Sequence, residues 1–84
     1  MLDTIRSILR QHGRLATDAA LLAPDDDLYQ HGLSSHASVN LMLALEDAFE
    51  VEFPEAMLRR KTFESIAQIH ASIDALVRSR QAVA

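Results

Sequence analysis

Apolar residues recur at the spacing of an α-helix in three segments, and this periodicity constrains the fold more than any other feature of the chain. The segments run from Leu2 to His12, from Ser35 to Phe49 and from about Phe63 to Val77. A short additional helical segment is predicted around Glu55 to Arg60. The residues expected on the buried faces of the first and last segments are Leu2, Ile5, Ile8, Leu9, Ile66, Ile69, Ile73, Leu76 and Val77. Because glycine and proline are scarce, at two residues each, the sequence predicts an all-α fold.

One long connection separates the first two helices. It follows Gly13, the predicted end of the first helix, and occupies much of Thr17 to Leu33. Pro24 and the acidic run Asp25-Asp26-Asp27 interrupt any helical pattern there. The leucines expected to hold this connection against the core are Leu21, Leu22 and Leu28. Long ordered loops are often functional, so this connection is a candidate functional segment.

The chain is expected to form one domain over residues 1–84. Thr62 is the predicted N-cap of the last helix, with help from Glu64 or Ser65, and residues 78–84 are expected to fray. A domain of this size buries only a modest share of its surface and leaves no room for a catalytic cleft beside a core. The sequence therefore predicts a protein that is not an enzyme.

A pair of serines stands where the second helix is predicted to begin, in Gly32-Leu33-Ser34-Ser35-His36. A serine at a helix start accepts hydrogen bonds from the free amide groups of the first turn, so a simple N-cap is one interpretation of Ser35. The same helix start also favours an anion, because its backbone donors and dipole stabilise negative charge by roughly 0.3–1 kcal/mol at an exposed site. A phosphate-linked group on this serine is the other interpretation.

The region around the serine pair resembles the signature of acyl and peptidyl carrier proteins. In that family a Gly-x-Asp-Ser-Leu box opens the second helix, which ends near an Ala-Leu-Glu triplet. Counting back from Ala44-Leu45-Glu46 aligns the modified serine of the family with Ser35. Ser34 then replaces the aspartate of the box, and His36 replaces the hydrophobic residue that follows the serine.

The resemblance continues downstream and covers about Leu2 to Val77. Val51-Glu52-Phe53-Pro54 is similar to the connector after the second helix, and Thr62-Phe63-Glu64-Ser65-Ile66 is similar to the start of the last helix. The resemblance implies a four-helix bundle of the carrier-protein type, with three main helices, one short helix and a long first loop.

The resemblance also implies a function. A carrier holds an acyl or aminoacyl group as a thioester on 4′-phosphopantetheine, which comes from coenzyme A and is attached covalently, here to Ser35. Ser34 and His36 would flank the attachment point. A protonated His36 could contact the phosphate of the arm, and an exposed histidine without a role is an equal alternative.

The implied partners are a phosphopantetheinyl transferase, an acyl or aminoacyl ligase that loads the arm, and downstream acyl or aminoacyl transferases. The second helix is apolar on more than one side, so part of it is available to a partner. By the resemblance, Leu41 and Leu45 point inward, and Met42 and Leu43 point outward beside the arm. The residues predicted to contact partners are Leu33, Val39, Met42, Leu43, Glu46 and Asp47.

Charge is unevenly distributed along the chain. Between Leu15 and Leu58 there is no lysine or arginine, whereas nine of the twelve acidic residues lie there. This pattern predicts a negative potential around the second helix that attracts basic partners, although a solvated acidic surface would look the same. It argues against nucleic-acid binding, and the chain has few aromatic residues for base stacking.

Several other classes of protein are disfavoured. The chain has no cysteine, so any thiol chemistry must be imported. Its four histidines lack the spacing of a helical metal-ligand pair, and no metal is expected. No apolar run approaches the ~20 residues that cross a bilayer, and the N-terminus lacks the pattern of a secretory signal. We expect a cytoplasmic monomer.

The residues together with the resemblance leave two hypotheses. The first is the carrier, and the substitutions Ser34, His36 and Asn40 lower the negative charge near the box relative to fatty-acid carriers. This favours a specialised carrier, such as an aminoacyl carrier or a specialised lipid or polyketide carrier. The second hypothesis is an unmodified helical adaptor with a carrier-like fold, which binds a partner through the second helix and uses Ser35 only as a cap.

Overall fold

The computed structural model describes residues 1–82 of the chain as three α-helices: α1 (Leu2–His12), α2 (Ser35–Phe49) and α3 (Ile66–Ala82). Short 3₁₀ turns lie between them, at Ala19–Leu21, Leu28–His31, Glu55–Met57 and Arg60–Phe63. Within the described residues there is no β-strand. The predicted all-α class, with three main helices and a long first loop, is confirmed. The short additional helix takes the form of two 3₁₀ turns rather than one α-helix.

The core lies where α1 packs against both α2 and α3. On α2, Leu41 and Leu45 point inward, as predicted, and are completely buried. The other completely buried large side chains are Ile5, Leu9, Leu28, Ile66, Ile69 and Ile73. Burying one such aliphatic side chain contributes about 1.5–3 kcal/mol to stability. The apolar faces of the three helices meet in this one core, which fixes the position of α2.

Helix α1 has the predicted bounds, and the predicted stop at Gly13 is confirmed, since Gly13 follows the last helical residue. Gly13 keeps a right-handed φ of −77°, and the left-handed residue is Arg14, with φ 51°. The predicted buried face differs at one residue. Leu2 is exposed, so the buried face begins at Ile5.

Helix α3 begins and ends later than predicted. Its first turn is capped by Ser65, whose Oγ accepts a hydrogen bond from the Gln68 backbone N–H at 3.1 Å. Thr62, the predicted cap, is buried in the preceding 3₁₀ turn. The helix continues past Val77 to Ala82, and the Arg80 guanidinium donates to the Glu50 carbonyl at 2.6 Å, which ties α3 to the end of α2. The rest of the tail predicted to fray, residues 83–84, lies outside the described residues.

The long connection is held down by side-chain and backbone hydrogen bonds. Leu22 and Leu28 are buried, as predicted, but Leu21 is 79% exposed and does not anchor the connection. The Arg6 guanidinium on α1 donates to the carbonyls of Ala19 at 2.6 Å and Leu22 at 2.9 Å. The half-buried Arg6, rather than Leu21, therefore holds this part of the connection against α1.

Replacing this arginine is expected to loosen the connection. Arg6→Met keeps much of the apolar stem but leaves two carbonyls without their charged donor, so the free energy of unfolding should fall by about 1–3 kcal/mol. Arg10→Met is the matched control on the same helix. Among the described residues Arg10 makes an exposed 3.4 Å ion pair with Asp18, and solvent screening leaves this pair little effect on stability. Urea denaturation of both variants measures the difference, and equal losses would contradict the anchoring role.

Within residues 1–82, none of the helices combines the length and apolar character that are needed to cross a membrane.

Candidate functional site

The first turn of α2 is capped by Ser34. Its backbone is extended, with φ −93° and ψ 164°, and its Oγ accepts a hydrogen bond from the Ala37 backbone N–H at 3.0 Å. Ser35 is the first residue inside the helix, and its side chain is exposed. The interpretation of Ser35 as the N-cap is therefore wrong, because Ser34 already makes the capping bond.

The residues before this cap fix its position. Gly32 ends the 3₁₀ turn Leu28–His31 with a left-handed φ of 104°, a conformation that favours glycine. The Leu33 backbone N–H donates to the Leu28 carbonyl at 3.1 Å, and the Leu33 side chain is only 4% exposed. Leu33 was predicted to contact partners, but the structure places it in the core. The buried Leu33 side chain holds the serine pair in position and is not exposed to a partner protein.

A groove of about 430 Å³ adjoins Ser35. It is lined by Ser35, Val39 and Met42 on α2, and by Tyr29, Arg59 and Arg60 on the opposite side. We refer to it as the Ser35 groove. It brings the first half of α2 together with two parts of the chain that are distant in sequence. Its lining is both apolar and cationic, so it suits a ligand with an anionic group and an aliphatic part.

Arg60 and Tyr29 form one wall of the Ser35 groove. The Arg60 guanidinium lies 3.9 Å from the centre of the Tyr29 ring, and the Tyr29 hydroxyl donates to the Arg60 carbonyl at 3.2 Å. Desolvation raises the pKa of Tyr29 above its ordinary value, although the positive charge of Arg60 acts in the opposite direction. The sequence predicted a negative surface around the second helix and gave no indication of these cations beside Ser35. The one available signal was that Arg59 is the first lysine or arginine after a long stretch that contains neither.

The remaining predicted partner residues border different depressions. Val39 and Met42 line the Ser35 groove, whereas Leu43 and Asp47 border a second groove between α1 and α2. Glu46 faces a third depression near the end of α3. Its carboxylate accepts a hydrogen bond from the Phe53 backbone N–H at 2.8 Å, so it also serves the fold.

His36 and the apolar residues of α2 differ in their exposure and in their position relative to the Ser35 groove. His36, predicted to flank the phosphate, is exposed and does not line the Ser35 groove. Val39 and Leu43, one helical turn apart on α2, are 51% and 53% exposed, and Met42 between them is half-buried. The outward orientation predicted for Leu43 is confirmed, but Leu43 borders the groove between α1 and α2 rather than the Ser35 groove. Met42 lines the Ser35 groove and also packs against the core.

Comparison with known proteins identifies the family. The family model of the phosphopantetheine attachment site matches residues 3–69. The chain belongs to this phosphopantetheine-binding family. It is accordingly a carrier protein and not an enzyme, and 4′-phosphopantetheine is its cofactor, as the sequence predicted.

Similar proteins include curated and structurally solved carriers. This carrier protein is 46% identical over 79 residues to the aminoacyl carrier protein of Agrobacterium fabrum, a match that covers 94% of this chain and 95% of the relative. It is also similar to a chain in the crystal structure of an engineered Bradyrhizobium japonicum glycine:[carrier protein] ligase complexed with a carrier protein from Agrobacterium tumefaciens and AMP. The TM-score is 0.86 at 49% identity, with 88% of this chain and 99% of that chain covered.

A further solved structure is that of the Bradyrhizobium japonicum glycine:[carrier protein] ligase complexed with a glycylated carrier protein. This carrier matches a chain of that structure with a TM-score of 0.64 at 30% identity, covering 84% of this chain and 90% of that chain. Carriers similar to this one have thus been solved together with an aminoacyl ligase.

Proposed function

We propose that this carrier holds its 4′-phosphopantetheine arm on Ser35 and carries an aminoacyl group as a thioester on that arm. The observation that supports this attachment point is that Ser34, and not Ser35, caps α2. Ser34 Oγ is engaged by the Ala37 N–H, whereas the Ser35 hydroxyl is exposed at the start of α2 and opens onto a groove.

The site favours a phosphodiester on Ser35 for two physical reasons. A phosphate at the first helical residue lies at the positive end of the α2 dipole, which stabilises an anion there. The position is also reachable by a modifying enzyme, since the hydroxyl is exposed and is not needed for the cap. When bound, the arm supplies the terminal thiol that a chain without cysteine cannot provide.

The aminoacyl cargo is supported by the relatives and by the chemistry of the groove. The relative that matches nearly the whole chain is an aminoacyl carrier protein, and a similar carrier has been solved in glycylated form. The Ser35 groove is lined in part by two arginines and a tyrosine, which would be costly to desolvate under a long alkyl chain. A short polar cargo that stays in solvent avoids this cost.

The proposed partners follow from the same function. They are a phosphopantetheinyl transferase, an aminoacyl ligase and a downstream aminoacyl transferase, all of which must reach Ser35. Val39 and Leu43 form an exposed apolar ridge along the outer face of α2, and Asp47 lies one turn beyond it. An exposed apolar strip with acidic residues nearby suits weak, reversible docking of enzymes with basic rims.

The function is tested by loading the carrier in two steps. The purified chain is incubated with coenzyme A and a broad-specificity phosphopantetheinyl transferase, and then with ATP, a glycine:[carrier protein] ligase and individual amino acids. Intact mass should show one arm and then one aminoacyl group, and the second gain should be removed by hydroxylamine, which cleaves thioesters. If a folded chain gains no arm, the unmodified adaptor becomes the better hypothesis. If the arm is added but only fatty-acyl ligases load it, the aminoacyl proposal is wrong.

A further inference from the structure

We infer that the arm on Ser35 does not extend freely into solvent but rests in the Ser35 groove, with its phosphodiester held by Arg59 and Arg60. This inference rests on the proposed attachment at Ser35. It concerns residues that the carrier signature does not include and that lie about 25 residues further along the chain.

The charge of the groove is unusual for this protein. The chain has a net charge of −4 and no lysine or arginine between Leu15 and Leu58. The next two cations in sequence, Arg59 and Arg60, both line the groove that Ser35 opens onto. An anion attached covalently at one edge of this groove meets two guanidinium groups at a high effective concentration, which favours a charge-assisted contact.

Arg60 is also oriented in advance. Its guanidinium stacks 3.9 Å from the centre of the Tyr29 ring, and the Tyr29 hydroxyl donates to the Arg60 backbone carbonyl. Stacking uses the flat face of a guanidinium and leaves its N–H groups, which point outward in the plane, available to an oxyanion. The side chain therefore loses less conformational entropy when it binds a phosphate than a free surface lysine would.

The apolar lining fits the remainder of the arm. Val39 and Leu58, which are about half exposed, line the groove together with Met42 and Phe63. Pantetheine is built of short aliphatic segments joined by amides, so it can cover these side chains while its amides stay near water. Removing exposed apolar surface from water contributes about 25 cal/mol per Å². The groove thus offers cationic side chains for the phosphodiester and apolar side chains for the pantetheine part of the arm.

The test compares the apo and holo forms of the full chain by NMR. Methyl shifts of Val39, Met42 and Leu58, together with the ³¹P shift and relaxation of the phosphodiester, report whether the arm occupies the groove. Wild-type protein should show apo-to-holo methyl shifts that weaken at high salt. In holo protein with both Arg59→Gln and Arg60→Gln, the occupied fraction should fall about two- to fivefold, as expected for partly exposed ion pairs. Arg59→Gln alone should give part of this loss without disturbing the stack on Tyr29.

Lys61→Gln is the matched control, because it removes one charge from an exposed neighbour that does not line the groove. It should leave the methyl and ³¹P signals of the holo form unchanged. Absence of apo-to-holo shifts in the groove, unchanged shifts in the double variant, or an equal effect of Lys61→Gln would each overturn the inference. Intact mass separates these results from a failure of the proposed function, since a chain that gains no arm on Ser35 overturns both.

Discussion

Ser35→Ala is expected to abolish attachment of phosphopantetheine and to leave the stability of the carrier nearly unchanged, whereas Ser34→Ala should do the reverse. The two serines are neighbours, yet only Ser34 Oγ accepts the Ala37 N–H that caps α2. Losing an N-cap side chain costs about 0.5–2 kcal/mol. Ser35 makes no capping bond, and alanine at the first helical position is well tolerated.

The measurement pairs intact mass with thermal unfolding of the same samples. Ser34→Ala should gain the arm, although at a lower rate if the frayed turn presents Ser35 less well, and its midpoint should fall by several degrees, at about 4–8 °C per kcal/mol for a domain of this size. Ser35→Ala should unfold near the wild-type midpoint with no gain in mass. Attachment that persists in Ser35→Ala and is lost in Ser34→Ala would move the site by one residue and contradict the proposal.

The sequence predicted the bounds of α1 and α2 because their apolar residues are spaced regularly over several turns. It could not decide which of two adjacent serines caps α2. The N-cap is the residue with extended backbone angles, and that residue is Ser34, two positions after the left-handed turn at Gly32. The same uncertainty affected α3, where Ser65 rather than Thr62 makes the cap. Which residue caps a helix depends on the backbone turn before it, and the periodic spacing of apolar residues does not reveal that turn.

The Ser35 groove was beyond the reach of the sequence for a different reason. Tyr29 and Arg60 are 31 residues apart, and their contact forms where the connection after α1 meets the turn before α3. Leu33 illustrates the same limit, since a single leucine in a loop gives no indication of which side it faces. The list of predicted partner residues therefore combined a core residue with side chains that border three separate depressions.

Leu41→Ala and Leu43→Ala should separate the structural face of α2 from its recognition face. The two leucines lie on one helix, two positions apart, but Leu41 is fully buried and Leu43 is 53% exposed. Truncating a buried leucine to alanine costs about 2–5 kcal/mol, because apolar contacts are lost and a cavity remains. For a small domain this is a large part of the total stability. Truncating Leu43 should change the free energy of unfolding by less than about 0.5 kcal/mol.

Partner binding should follow the opposite order. If the ridge of Val39 and Leu43 docks the loading enzyme, Leu43→Ala should raise the KM for the holo carrier in aminoacylation about threefold or more, at unchanged carrier stability. Leu41→Ala should leave KM nearly unchanged when it is measured well below its melting temperature, because its side chain never reaches the surface. A large loss of stability in Leu43→Ala would show that this leucine supports the groove between α1 and α2 instead. An unchanged KM in that variant would remove Leu43 from the docking surface and leave Val39, which borders the Ser35 groove, as the apolar contact nearest the arm.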